Sequence, residues 1–260
     1  MIEFGISSAC FYPLETEKAL ELMGKNGVKN AEIFFNALCE TKKDFVKQLK
    51  SIADYYGMNI VSIHPTMSLA ESFMLFSAYD RRKAEGIEQY KRYGEITAEL
   101  GARYVIMHGG KPNGILSDEQ YCQRFLEVSD AVDQSGGLLL QENVAKYRAN
   151  SVDFLEMMVR NLGERAAFCL DVKQSVRGGY SPLAVLEAVG ENVKHLHISD
   201  NNSRNDCLLL GNGNFNFSDF FKKCNEKGYK GHAVLEVYRN AYGEYEEIFI
   251  AQREFEANNP

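Results

Sequence analysis

The feature that most constrains this chain is an alternation. Eight short apolar runs recur along it: IEFGIS (2–7), AEIFF (31–35), NIVSIH (59–64), RYVIMH (103–108), LLLQE (138–142), AFCLD (167–171), VKHLHI (193–198) and HAVLEV (232–237). Longer amphipathic segments separate them, at 15–26, 42–57, 80–101, 117–135, 151–162, 181–190, 217–228 and 241–257. Short runs rich in Val, Ile and Leu suit buried parallel strands, and longer segments with a helical stripe suit the helices that cover them. In 42–57, Phe45, Leu49, Ile52 and Ala53 fall on one stripe with lysines opposite. Ser117 and Ser151 stand where N-caps belong, and Gly57, Gly101 and Gly190 where helices end. Eight strand–helix units average about 32 residues each, which predicts an α/β chain folded over 1–260 as a single (β/α)8 TIM barrel. An open doubly wound sheet would normally carry a glycine-rich fingerprint after its first strand, and SSACFYPLE has none.

Charge and cysteines narrow the partners. A formal net charge of −7 argues against general affinity for nucleic acid or an anionic membrane. The cysteines at 10, 39, 122, 169, 207 and 224 form no C-x-x-C pair and no framework, so reduced thiols in a cytoplasmic protein are expected. The N-terminal MIEFGISSAC lacks a basic segment followed by an apolar core, and no run approaches a membrane span. A soluble protein with a small-molecule partner is the expectation, and a homo-oligomer is compatible with it.

The polar residues then take over the argument. Six runs carry an ionisable side chain at or next to the C-terminal end: His64, His108, Glu142, Asp171, His197 and Glu236. In a barrel those ends ring one mouth, and charges there are costly to desolvate unless paired or bound to a metal. Singly, each reads as well as a helix cap or a hydrogen-bonded core histidine. Together they suggest a mostly oxygen site for a catalytic divalent ion, Mn²⁺ first, with Co²⁺, Mg²⁺ or Zn²⁺ as alternatives. His195 and His197 face the same way on one strand. His197 lies nearer the mouth and is the ligand candidate, whereas His195 reads as core. Asp200 and the loop beyond it are expected to orient the site or touch substrate, and His232 to be structural at the opposite rim. The loop 65–79, PTMSLAESFMLFSAY, reads equally as a lid or as a packed connection.

The ordered set SIHP, VIMHGG, LLLQENV, CLDV, HLHISD and VLEVY resembles the xylose isomerase-like TIM-barrel superfamily, which includes sugar epimerases, hydroxypyruvate isomerase, inosose dehydratase and endonuclease IV. The resemblance implies that Glu142, Asp171, His197 and Glu236 hold one divalent ion. It implies that Glu142 and Glu236 exchange a proton with opposite faces of a sugar or similar hydroxy-carbonyl compound, through an enediolate. A metal-dependent isomerase or epimerase follows, with a dehydratase of the same family as the alternative. His64, His108, Lys173 and Arg204 complete the substrate-binding set. His64 and His108 alternatively recruit a second ion beside Glu142. The GNGN loop (211–214) reads equally as a tight turn or as a cradle for a phosphate, which Arg177 and Arg204 could pair with if they are not simple surface arginines. Phe11, Phe35 and the 65–79 loop would supply apolar walls. The chain departs from endonuclease IV at Gln174 and at Asn205-Asp206-Cys207, where ligands to a third ion would stand, and from the epimerases at Gln174 and Arg148. These departures disfavour a phosphodiesterase and leave the sugar open.

Overall fold

A computed structural model describes residues 2–65 and 70–259. Among them, strands Glu3–Ser7 (β1), Asn30–Phe34 (β2), Asn59–His64 (β3), Tyr104–Met107 (β4), Leu138–Glu142 (β5), Phe168–Asp171 (β6), Val193–Ile198 (β7) and His232–Leu235 (β8) form a closed barrel in chain order. Every neighbouring pair is parallel, including the β1–β8 pair that closes the ring. The barrel read from the alternation is the barrel observed.

Helices follow the strands: Thr16–Lys25 (α1), Lys43–Tyr56 (α2), Glu71–Met74 (α3), Asp80–Leu100 (α4), Asp118–Asp133 (α5), Val152–Leu162 (α6), Val172–Arg177 (α7), Pro182–Val189 (α8), Phe217–Glu226 (α9) and Tyr245–Asn258 (α10). Ser117 caps α5 by accepting the Gln120 backbone N–H at 3.2 Å, while Gln120 returns a bond to the Ser117 N–H. Gly57 and Gly101 close α2 and α4 with φ of 64° and 74°, the left-handed conformation that favours glycine. The buried stripe of α2 is Val46, Leu49 and Ala53, with Phe45 and Ile52 only half-buried at its edges.

Apolar packing falls into two layers. The outer one lies between sheet and helices and holds most of the buried side chains, including Phe11, Phe35, Leu49 and Phe249. The inner one fills the barrel beneath its mouth with Ile106, Leu140, Ala167 and Cys169, packed against Tyr104 and Leu138. None of the described helices is long and apolar enough to cross a membrane.

Part of the 65–79 loop, residues 66–69, lies outside the described residues. The rest contains α3 and is tied down. The buried Glu71 carboxylate accepts the Gly109 N–H at 2.6 Å and the Tyr90 hydroxyl at 2.5 Å, and Leu75 and Phe76 are buried. Gly109 has φ of 87°, and a Cβ there would collide with the Tyr121 hydroxyl, so only glycine lets these two loops meet.

Candidate metal centre

Four strand ends build the centre. Glu142 closes β5, Asp171 closes β6, His197 lies one residue before the end of β7, and Glu236 follows β8, its N–H extending the ladder to Ile198 O at 3.0 Å. Asp171 and His197 are direct register partners. Each of the four offers a donor atom, and those atoms all lie within 4.8 Å of one another. From His197 Nδ1 the distances are 3.2 Å to Glu142 Oε1, 3.8 Å to Glu236 Oε2 and 3.9 Å to Asp171 Oδ2. Asp171 caps a helix with one oxygen and turns the other toward the group. Its Oδ1 caps α7 by accepting the Gln174 N–H at 2.8 Å, and its buried Oδ2, with no well-aligned hydrogen bond, faces the group. Asn143 braces this corner, bonding Asp171 N–H at 2.7 Å and Asp171 C=O at 3.1 Å.

His64 and His108 form a second group that shares Glu142. Their Nε2 atoms stand 3.7 and 3.1 Å from Glu142 Oε2 and 3.1 Å from each other. Phe34 lies against His64 with ring centroids 4.6 Å apart and planes tilted by 31°. Phe34 is thus the aromatic side chain of this strand that faces the group. Phe35 and Phe11 are fully buried instead, Phe11 packing against Phe249 and Tyr245 behind the sheet.

Lys173 enters the group as a buried cation. Its ammonium contacts Glu236 Oε2, lies 3.2 Å from Asp171 Oδ2, and stands 4.8 Å from the centre of the Tyr238 ring. Arg204 is exposed, and its backbone N–H bonds Asn202 Oδ1. It takes no part in the hydrogen bonds of the group among the described residues. Gln174, in α7, ties that helix to the loop after β5 by accepting the Ala145 N–H at 3.1 Å. His232 lies 3.5 Å from Glu3 at the start of β8.

Two residues act differently from the sequence reading. The GNGN loop does not present free N–H groups to a phosphate. Asp200 already fills it, with Oδ2 accepting from Gly211 and Gly213 at 3.0 and 2.9 Å and Oδ1 from Asn201 and Phe215 at 2.8 and 3.0 Å. Asp200 is a loop staple. Glu32, in the middle of β2, was missed altogether. It is fully buried, lies 2.9 Å from His197 Nε2 and accepts the Ser62 hydroxyl at 2.7 Å. A carboxylate inside an otherwise apolar run was the available signal.

The electrostatics match a cation-binding cluster. Burial raises the Asp171 carboxyl, Lys173 opposes the rise, and Glu142 and Glu236 add to it, leaving it at about 7. Burial alone would also raise Glu142, yet hydrogen bonds from His108, His197 and His64 outweigh it and hold Glu142 well below the usual range. Lys173 stays protonated against its burial because Asp171 and Glu236 face it. Carboxylate and imidazole donors converging in a largely buried group fit a divalent ion.

A barrel that gathers three carboxylates and a histidine at its C-terminal mouth defines a class, the (β/α)8 proteins whose strand ends could hold a divalent cation. The chain belongs to the xylose isomerase-like TIM-barrel family, whose model matches residues 19–256. It is similar to the uncharacterized protein MJ1311 of Methanocaldococcus jannaschii, at 24% identity over 90% of this chain and 83% of that one. Among solved structures it resembles the 3-keto-D-glucoside 4-epimerase YcjR from E. coli, with a TM-score of 0.79 and 14% identity over 99% of this chain and 100% of that one. It also resembles the D-allulose 3-epimerase from Methylomonas sp. in complex with D-allulose, with a TM-score of 0.76 and 19% identity over 99% and 96%. At such identities the likeness shows the fold.

Proposed function

We propose that this protein is a divalent-metal-dependent isomerase or epimerase of a sugar or sugar-like hydroxy-carbonyl compound. The observation that carries the reading is the convergence of Glu142, Asp171, His197 and Glu236 within 4.8 Å at the barrel mouth. An ion held by these four would draw electron density from a substrate carbonyl and its neighbouring hydroxyl, acidifying the C–H between them. Glu142 and Glu236, from β5 and β8, are the proton carriers, one removing the proton and the other returning it. Asp171 and His197 hold the ion. His64 and His108 donate hydrogen bonds to substrate oxygens beside the Phe34 ring, and Lys173 supplies a fixed positive charge. One divalent ion and Lys173 together balance the three carboxylates, which suits a neutral polyol. The sugar epimerases among the structural relatives agree with this reading.

The test separates proton carriers from ligands. Glu142→Gln and Glu236→Gln keep size and one oxygen, and each should lose turnover by about 10²–10⁴-fold that excess Mn²⁺ does not restore. Asp171→Asn should lose metal affinity instead and recover partly with excess Mn²⁺. Full metal rescue of both glutamate variants would refute their role as carriers.

A second reading has one observation in its favour. His64 and His108, with Glu142, form an adjacent group that could hold another ion, and paired ions are one arrangement that serves phosphodiester hydrolysis. Against it, the loop read as a phosphate cradle is occupied by Asp200. Binding of two ions per chain would favour this reading, and binding of one would oppose it.

A further inference from the structure

The two ring nitrogens of His197 face different surroundings. Nδ1 points to Glu142, Asp171 and Glu236, and Nε2 points to Glu32 Oε2 at 2.9 Å. A neutral imidazole has a single N–H, and an ionised carboxylate can only accept. With the proton on Nε2, that N–H donates to Glu32 and Nδ1 keeps its lone pair for an ion. With the proton on Nδ1, it would donate to Glu142 Oε1 at 3.2 Å, and the centre would lose a ligand and tie up a second. His197 cannot ligate with a proton on Nδ1, so a partner that holds its remaining proton on Nε2 favours metal binding.

We infer that Glu32 is the positioning residue that fixes His197 as the Nε2–H tautomer and so presents Nδ1 as the ligand. It rests on the metal-centre reading above. Its surroundings suit the task. Glu32 is fully buried, and the Ser62 hydroxyl donates to the same oxygen at 2.7 Å, which holds the carboxylate toward His197. Ser62 Oγ in turn lies 3.3 Å from His195 Nε2, which links the second histidine of VKHLHI to the same brace. His195 thus belongs to the support beneath the centre. A metal-bound histidine whose other N–H meets a carboxylate is a general device that fixes ring orientation, and loss of the partner typically weakens binding about 10–100-fold. Glu32 acts through His197 and does not touch substrate.

The test is metal binding combined with direct observation of the tautomer. Isothermal titration of chelator-treated wild type and Glu32→Gln with Mn²⁺ and Zn²⁺ should show the Kd of the variant raised about 10–100-fold. The amide can both accept and donate, so it no longer selects one tautomer. Long-range ¹H–¹⁵N spectra of the wild type loaded with Zn²⁺ should show His197 protonated at Nε2 and bound to metal through Nδ1. This second measurement needs no variant and holds even if Glu32→Gln fails to fold. An unchanged Kd in a folded Glu32→Gln variant, or a wild-type His197 protonated at Nδ1, would overturn the inference while leaving the metal centre standing. A wild type that binds no divalent ion would overturn both.

Discussion

Replacing Lys173 by methionine isolates the electrostatics of the centre, because methionine keeps most of the chain length and removes the charge. Lys173 is about 1% exposed, with Asp171 Oδ2 at 3.2 Å and Glu236 Oε2 in contact. Two unit charges 3.2 Å apart attract by about 5 kcal/mol at an effective dielectric of 20, and desolvation of the ammonium offsets a large part of that. Removing one partner of a buried pair costs about 3–5 kcal/mol, since the charge left behind is unpaired. For a chain of this size 1 kcal/mol corresponds to about 2 °C, so Lys173→Met should melt about 6–10 °C below wild type in chelator. Saturating Mn²⁺ changes the outcome. The ion then neutralises the same two oxygens, and the deficit should fall by half or more. A closed thermodynamic cycle converts that difference into affinity: the variant should bind Mn²⁺ at least about tenfold more tightly than wild type, tenfold being 1.4 kcal/mol. Thermal unfolding with and without metal, plus a titration, measures every leg. A deficit equally large with and without Mn²⁺, or none in chelator, would refute the placement of Lys173 on the metal-facing oxygens.

Two further outcomes follow from the same geometry. In the metal-free fold the Asp171 carboxyl is raised to about 7 from an ordinary value of 3.8, so its effect on stability is lost progressively as pH rises through that window. Metal needs Asp171 ionised and His197 without a proton on Nδ1; titration should therefore saturate near one ion per chain and release most of a proton more at pH 6.5 than at pH 9, read as the dependence of the binding heat on the buffer. Asp200→Ala should destabilise the fold by about 3 kcal/mol in urea unfolding, since four backbone N–H groups lose their acceptor, and should leave metal affinity near wild type.

The parts of this fold that were legible were the periodic ones. Strand and helix spacing gave the barrel, and the mouth residues could be read because His64, Glu142, Asp171 and His197 stand at or beside strand ends, where a barrel turns outward. Glu32 escaped because it lies mid-strand and its partner is 165 residues away. The same oversight misplaced the aromatic wall. Side chains two apart share a face, so recognising Glu32 as inward would have selected Phe34 rather than Phe35. A register shift between Ala31 and Glu32 made that parity harder to carry over from neighbouring strands. The GNGN loop shows a different limit, since a ring of backbone N–H groups reads alike whether it receives a phosphate or an aspartate of the same chain. Lys173 was read as a substrate contact, and its contacts with Asp171 and Glu236 depend on the closed barrel bringing the ends of β6 and β8 to one mouth on either side of β7.

The central claim is that Glu142 and Glu236 move a carbon-bound proton of a hydroxy-carbonyl substrate in a metal-loaded centre. Its most direct test is hydrogen exchange. A panel of ketoses and aldoses is incubated in D₂O with the Mn²⁺-loaded protein, the metal is then chelated away, and deuterium at carbon is read by mass spectrometry and NMR. The expected result is incorporation next to the carbonyl of at least one sugar, absent with the chelator-treated protein and strongly reduced in Glu142→Gln and Glu236→Gln. Incorporation that persists undiminished in both glutamate variants, or none with any sugar from fully loaded wild type, would contradict it.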